Sequence, residues 1–330
     1  LGPLVAGRDD AKVTSRTGPA RNPVEMPESF AWNLLYFWVG RFGGVLGYFF
    51  PALVALALFL LLGPRERAGW LALVGVVLSW MAYIWVIPDN WYGGGGTVGN
   101  RYFLNLLPAF LWIVPRGRTR WLAAVGLAGG LAFVSPMLVS PIRHSLNPGE
   151  HAIRGPFRLL PAELTMLNDL SVFTETWRKK QSFGWVGNPQ RHADPDAYNL
   201  YFMDDGTWGK ESWGERTGFW LRAGGRAEIV VRAFDLAPVR QIVVEVTGGP
   251  MGDSVSVRRG WSSHRLSVRP GEVREAELPV GRGLRYYDTY LHVLSLRSRR
   301  GAPLPDGRSV GVFVRIRLEM GPPFAAAAEP

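Results

Sequence analysis

The chain has 330 residues, a formal net charge of +10 and no cysteine. The lack of thiols excludes disulfides, thiolate metal sites and thiol catalysis. The basic excess does not point to nucleic acid, because no Lys/Arg stripe with interleaved aromatics occurs. A mean hydropathy of +0.04 averages two unlike halves, apolar runs over 45–142 and period-two segments over 200–320, so two domains are expected.

Residues 1–44 read as an outer-face loop followed by an interfacial helix. The stretch 1–28 is rich in Pro, Gly and Arg, as an exposed linker is. Its acid pair Asp9 and Asp10 lacks the spaced partners a cation site needs, so surface decoration is the better reading. The opening LGPLVAGRDD has neither a Met nor a signal-like segment, which suits the C-terminal part of a longer protein. From 29 to 44, Phe30, Trp32, Leu35, Phe37 and Trp38 follow a capping Ser29 and suit a helix lying at a membrane interface.

Residues 45–142 read as a membrane-spanning helical region of about four spans. The runs 45–62 and 70–87 each hold 18 residues without a charge. Pro51 lies in the first, and Trp70 and Trp85 mark the ends of the second as an aromatic belt does. Residues 103–114 are interrupted by Asn105 and Pro108 and read as a short or broken helix. Residues 121–142 are uncharged, with Gly126, Gly129 and Gly130 allowing close helix packing. The basic turns at Arg65/Arg67 and Arg116/Arg118/Arg120 fall on one side and are expected in the cytoplasm. The loop at 88–102 and everything after 142 then face outward.

That loop belongs to the stretch PDNWYGGGGTVGNRYFLNLLP, residues 88–108, the best site candidate. Four consecutive glycines, 93–96, give backbone freedom or close approach to a ligand. They are no phosphate-binding nucleotide loop, since no Lys and Ser/Thr follow as that motif requires. Asp89 and Asn90 suit hydrogen bonds to sugar hydroxyls, or Asp89 simply pairs with Arg101. Trp91, Tyr92 and Tyr102 suit stacking on a sugar ring, or a plain aromatic belt. Arg101, at a helix start, suits bidentate binding of a lipid phosphate, or anchoring to headgroups.

Residues 143–199 read as a linker with short helices, PAELTMLNDL at 161–170 among them, and 178–196 as loop. His144, His151, His192, His264 and His292 show no paired spacing, so no metal site is expected. Glu150 and Glu163 carry acid/base chemistry only if the fold fixes them together. From 200 to 320, about eight short runs parted by Gly/Pro/Asp turns predict a mostly-β sandwich, jelly-roll-like. Its Trp208, Trp213, Trp220 and Trp261 are either core or, where exposed, carbohydrate-stacking residues. Residues 321–330 read as a disordered tail.

The segment 88–108 resembles a motif of polytopic GT-C-class membrane glycosyltransferases related to protein mannosyltransferases and lipid-linked sugar transferases. The matching residues are Trp91, Tyr92, Gly93 to Gly96, Gly99, Arg101, Tyr102, Leu107 and Pro108, with Asn100 where many such proteins have Pro. The resemblance covers about residues 30–142. It implies a glycosyltransferase moving sugar from a polyprenyl-phosphate donor to a polysaccharide or glycolipid acceptor of the cell envelope. It also implies a cytoplasmic (inner) membrane location with the β domain extracytoplasmic. The catalytic acid, and any divalent cation, would lie upstream, so this piece alone is expected to be inactive. The rival readings are a non-catalytic, membrane-anchored carbohydrate-binding or envelope-assembly protein, and a transporter fragment.

Overall fold

The computed structural model describes residues 26–62, 66–93, 97–114, 119–146, 148–167, 170, 180–183, 198–233, 239–281, 283–286 and 289–321. Expectations placed on residues 1–25, glycines 94–96, Arg65, Arg116, Arg118, loop 184–197 and tail 322–330 lie outside them. Two compact units emerge, Ala20–Thr174 and Glu175–Pro330 with Leu1–Pro19.

The first unit is helical. Helix α1 (Met26–Val39) stops at a glycine-bearing turn, 40–44, and α2 (Val45–Tyr48) and α3 (Phe50–Leu62) follow. The expected continuous span 45–62 is thus broken at Phe49, whose φ of −129° leaves the helical region. Pro51 accounts for the break, because its ring clashes with the carbonyl one turn back and it has no N–H to donate. Helix α4 (Arg67–Val86) ends at Ile87, where the following Pro88 disfavours helical backbone. The run 103–114 is indeed broken, into α5 (Arg101–Leu104) and α6 (Leu107–Trp112), the latter with Pro108 in its first turn. A turn of α7 (Thr119–Trp121), a π-helical turn (Leu122–Gly126) and α8 (Leu127–Val139) complete the apolar part. Of the four runs expected to span, only α4 is a single helix long and apolar enough to cross a bilayer among the described residues; Phe50–Leu62 and Ala123–Val139 are shorter.

Helices α9 (Pro141–Leu146) and α10 (Pro148–Ala152) lead to two short 3-10 turns, Gly155–Leu159 and Leu164–Met166. Of the helix expected over 161–170, the described residues show only the 3-10 turn Leu164–Met166. Residues 160–163 run extended because they dock on the 40–44 turn. Arg41 N–H donates to the Pro161 carbonyl at 2.9 Å, and Arg41 Nε to the Leu160 carbonyl at 2.9 Å. Helix α1, expected at a membrane interface, buries part of its surface in this unit. Asn33, Tyr36 and Phe37 of α1 are buried, and the Asn33 amide donates to the Pro88 carbonyl at 2.9 Å.

The second unit is a two-sheet antiparallel sandwich. The seven-stranded sheet runs β1 (Lys180–Phe183), β2 (Tyr198–Phe202), β5 (Arg226–Ala233), β11 (Thr289–Arg297), β7 (Asp253–Arg259), β8 (Ser262–Val268), with β10 (Leu284–Tyr286) also against β11. The six-stranded sheet runs β3 (Thr207–Trp213), β4 (Arg216–Arg222), β13 (Ser309–Met320), β6 (Val239–Gly248), β9 (Val273–Pro279), with β12 (Ala302–Pro303) also against β13. Strand β1 lies within the stretch read as linker and pairs Lys180 with Tyr201. Between the sheets the Phe202 and Phe219 rings meet at 5.2 Å, and the buried Tyr198 hydroxyl donates to the Ile316 carbonyl at 2.6 Å.

Candidate functional site

In the helical unit the 88–102 loop folds back on itself. Arg101 N–H donates to the Tyr92 carbonyl at 3.0 Å, and the Asn100 side chain accepts from Phe103 N–H at 2.9 Å, capping α5. Gly93 sits at φ +104°, and a Cβ there would fall 2.3 Å from Arg101 Cγ. The glycine thus lets the arginine stem lie over the backbone. Trp91 and Tyr92 are each only 1 % exposed. Tyr92 packs where a Cβ on Gly43 would stand, and Trp91 contacts Phe37 at 5.8 Å. As they stand, neither offers a ring face to a sugar. Asp89 and Asn90 are half-buried in the turn. Tyr102 stacks flat on Tyr83 at 5.0 Å. Arg101 is exposed, 5.3 Å from the Tyr102 ring, and makes no ion pair among the described residues.

The chemistry of this unit gathers elsewhere. Glu163 is fully buried. Its Oε1 accepts from the amides of Phe42 and Gly43, each at 2.8 Å, and a Cβ on Gly40 would collide with it. Burial pushes its carboxyl up to about 7, against the pull of those amides and of Arg41. Glu150 is its opposite. Arg143 and Arg154 clamp it from solvent, and the Arg143 hydrogen bond holds its carboxyl below the ordinary range. The two glutamates are thus not a shared acid/base pair. His151 packs 5.1 Å from His144 and 4.6 Å from Phe157, and burial, then His144, pushes it down to about 4. Among the described residues no three His, Cys, Asp or Glu side chains converge as metal ligands.

On the sandwich, register separates the four tryptophans. Phe219 and Leu221 of β4 face the core, so Arg216, Trp220 and Arg222 face outward. Trp220 stands opposite Phe313 and Arg216 opposite Trp213. The Trp213 ring lies 4.9 Å from Trp220 and 5.6 Å from Phe313. Trp220 and Phe313 are buried beneath it, whereas Trp213 remains 41 % exposed. Trp208 lies alongside, its indole N–H donating to the Ser309 carbonyl at 3.1 Å and its ring covered by the Arg222 guanidinium at 4.1 Å. Glu211 holds Arg308 through two bonds of 2.6 and 3.0 Å, and Arg216 donates to Glu245 at 2.9 Å. An indole face framed by fixed charges is the result. Trp261 stands apart, 99 % exposed in the turn joining β7 and β8.

Comparison with known proteins adds little. No family model matches the chain, and no curated protein does. Among solved structures, it is similar to the secreted serine protease VesC of Vibrio cholerae at 16 % identity, covering 37 % of this chain and 24 % of that one, with a TM-score of 0.24. It is similar to TmCBM61, solved with beta-1,4-galactotriose, at 13 % identity, covering 43 % and 99 % of the two chains, TM-score 0.23. An exo-beta-1,3-galactanase of Phanerochaete chrysosporium overlaps at 9 % identity, covering 38 % and 33 %, TM-score 0.23. Overlaps this weak carry no functional weight.

Proposed function

We propose that this chain belongs to a membrane protein of the cell envelope whose sandwich binds carbohydrate on the outer face of its six-stranded sheet. The observation that carries the reading is Trp213, an indole half open to solvent on a strand, seated on two buried aromatics and framed by Arg216, Glu245 and Glu211. Such a face takes the apolar side of a pyranose while its rim bonds the hydroxyls. The membrane part rests on the apolar surface of the helical unit. Asn33, Arg41, Asn100 and Glu163 are buried, while Leu61, Leu71, Val86, Val139 and Ile142 are exposed. A water-exposed surface of that kind would be an interaction site in any case. The positive charge of the short turns in the sequence supports a sandwich on the outer side of the cytoplasmic membrane.

A tryptophan presents at most about 250 Å², so the 41 % left open is about 100 Å². At about 25 cal/mol per Å² its cover is worth up to about 2.5 kcal/mol, roughly seventyfold in Kd. Screening neutral oligosaccharides against the full chain in detergent, then repeating with Trp213→Ala, tests the idea. Retained affinity in the variant would remove the platform from the site.

A second reading, sugar transfer from a polyprenyl-phosphate donor by a longer protein, is favoured by Arg101 together with an apolar cavity of about 120 Å³. Phe37, Leu56, Val76, Trp80, Phe103 and Phe110 line it. An exposed guanidinium suits the phosphate, and an apolar cleft the prenyl chain. Unchanged turnover and donor affinity in full-length Arg101→Ala would end this reading.

A further inference from the structure

The seven-stranded sheet turns a chemically different face outward. In β7 the valines 255 and 257 point to the core, which sends Ser254, Ser256 and Arg258 the other way. In β8 the outward set is Ser263, Arg265 and Ser267, all exposed. Register then assembles rows across four strands. One row reads Ser263, Arg258, Ser295, Glu228. The next reads Arg265, Ser256, Arg297, Arg226. From β8 to β11 guanidinium and hydroxyl alternate along and across the strands, and the rows end on β5 at Glu228 and Arg226.

The charge on this face is one-sided. Arg226, Arg258, Arg265 and Arg297 are all exposed, and Glu228 is the only carboxylate in the two rows. Arg258, Arg265 and Arg297 make no ion pair among the described residues. Neighbouring strands lie about 4.8 Å apart, so Arg265 and Arg297, two strands apart, present charges about 10 Å from one another. No aromatic ring stands within the two rows, so nothing there would stack nucleic acid bases. No bulky apolar side chain stands there to enter a bilayer. The interleaved serines instead offer donors and acceptors suited to sugar hydroxyls.

We propose that this Ser/Arg face binds an acidic polysaccharide, a linear glycan whose carboxylate, sulfate or phosphate groups pair with the arginines while its hydroxyls bond the serines. The site is separate from the Trp213 platform, being on the other sheet, and the two stand or fall independently.

The test uses the full chain in nanodiscs of zwitterionic lipid, with polygalacturonate as probe and a neutral galactan as control. Wild type is expected to bind polygalacturonate at 50 mM salt and to lose at least tenfold by 500 mM, as screening of exposed charges requires. The triple variant Arg258→Gln, Arg265→Gln, Arg297→Gln is expected to lose tenfold or more for polygalacturonate with an unchanged circular dichroism spectrum. Arg240→Gln, at an exposed position of β6 in the other sheet, is expected to leave polygalacturonate binding intact. No binding by wild type at low salt, or equal binding by the triple variant, overturns the proposal. Loss of binding to phosphatidylglycerol vesicles in the variant, with no polygalacturonate binding by wild type, overturns it in favour of lipid docking.

Discussion

Replacing Glu163 with Gln should remove a pH dependence that the wild-type helical unit carries. The carboxyl is held at about 7 in the folded chain, against an ordinary value of 4.5, because burial outweighs the amides of Phe42 and Gly43 and the charge of Arg41. A raised folded value means that the folded state keeps its proton where the unfolded chain has lost it. The resulting stability is fully present below pH 4.5, falls away between 4.5 and 7, and is gone above 7. At about 1.4 kcal/mol per pH unit the whole effect is about 3 kcal/mol. His151 runs the other way. Its folded value of about 4, set by burial, makes stability rise between pH 4 and 6.5. The raw wild-type slope therefore mixes both, and only the comparison with Glu163→Gln isolates the glutamate. Thermal unfolding in detergent at pH 5 and pH 8 measures it. The variant should gain about 3 kcal/mol on wild type between those two conditions, roughly 6–12 °C in Tm for a unit of this size. A constant difference between the two proteins, or one that grows in favour of wild type as pH rises, would show that Glu163 is ionised in the fold.

Two further substitutions probe the fold. Asp253 accepts from the amides of Ser254, Arg299 and Arg300 at 2.6, 3.1 and 2.9 Å, and from the Ser298 hydroxyl at 2.5 Å. Asp253→Asn should cost the sandwich about 2–3 kcal/mol in denaturant unfolding, with faster amide exchange at 298–300. Gly93→Ala meets both a left-handed backbone and the Arg101 stem. It should cost about 1–3 kcal/mol in thermal unfolding of the helical unit.

The sandwich was legible because its strands are β-branched runs, alternating in β7 and β8 and parted by Gly/Pro/Asp turns. DSVSVRR places Val255 and Val257 inward as the period requires, and SSHRLSV does the same in β8. Which tryptophans are exposed was not legible, because strand pairing decides it, together with one-residue bulges between Thr207 and Lys210 and between Val310 and Phe313. Trp220 and Trp213 share the outer face only through the pairing of β3, β4 and β13. In the helical unit the apolar runs were plain, but Glu163 was not. Its amide partners lie about 120 residues away, and no local pattern announces them. The aromatic loop misled for a related reason. Trp91 and Tyr92 look like an open platform until Gly43 provides the space that lets Tyr92 pack inside. The glycines at 40, 43 and 44 around Arg41 were the available signal.

The bilayer reading of α4 makes a demand that a soluble helix could not meet. The helix has 20 residues, about 30 Å at 1.5 Å per residue, the thickness of a hydrocarbon core. Leu71 and Leu78 are 71 % and 63 % exposed on it, while Val76 and Ile84 are 6 % and 1 % exposed. Since the chain has no native cysteine, Leu71→Cys, Leu78→Cys, Val76→Cys and Ile84→Cys can each carry a single nitroxide in lipid nanodiscs. In a bilayer, labels at 71 and 78 should relax strongly with oxygen, which concentrates in lipid, and weakly with an aqueous nickel chelate. Labels at 76 and 84 should respond little to either. Strong nickel relaxation at 71 and 78 would place that face in water, and a leucine-covered face in water would have to be the docking surface of another protein. The oxygen-to-nickel ratio at those two positions therefore decides whether the exposed apolar surface of this helix faces lipid or a partner.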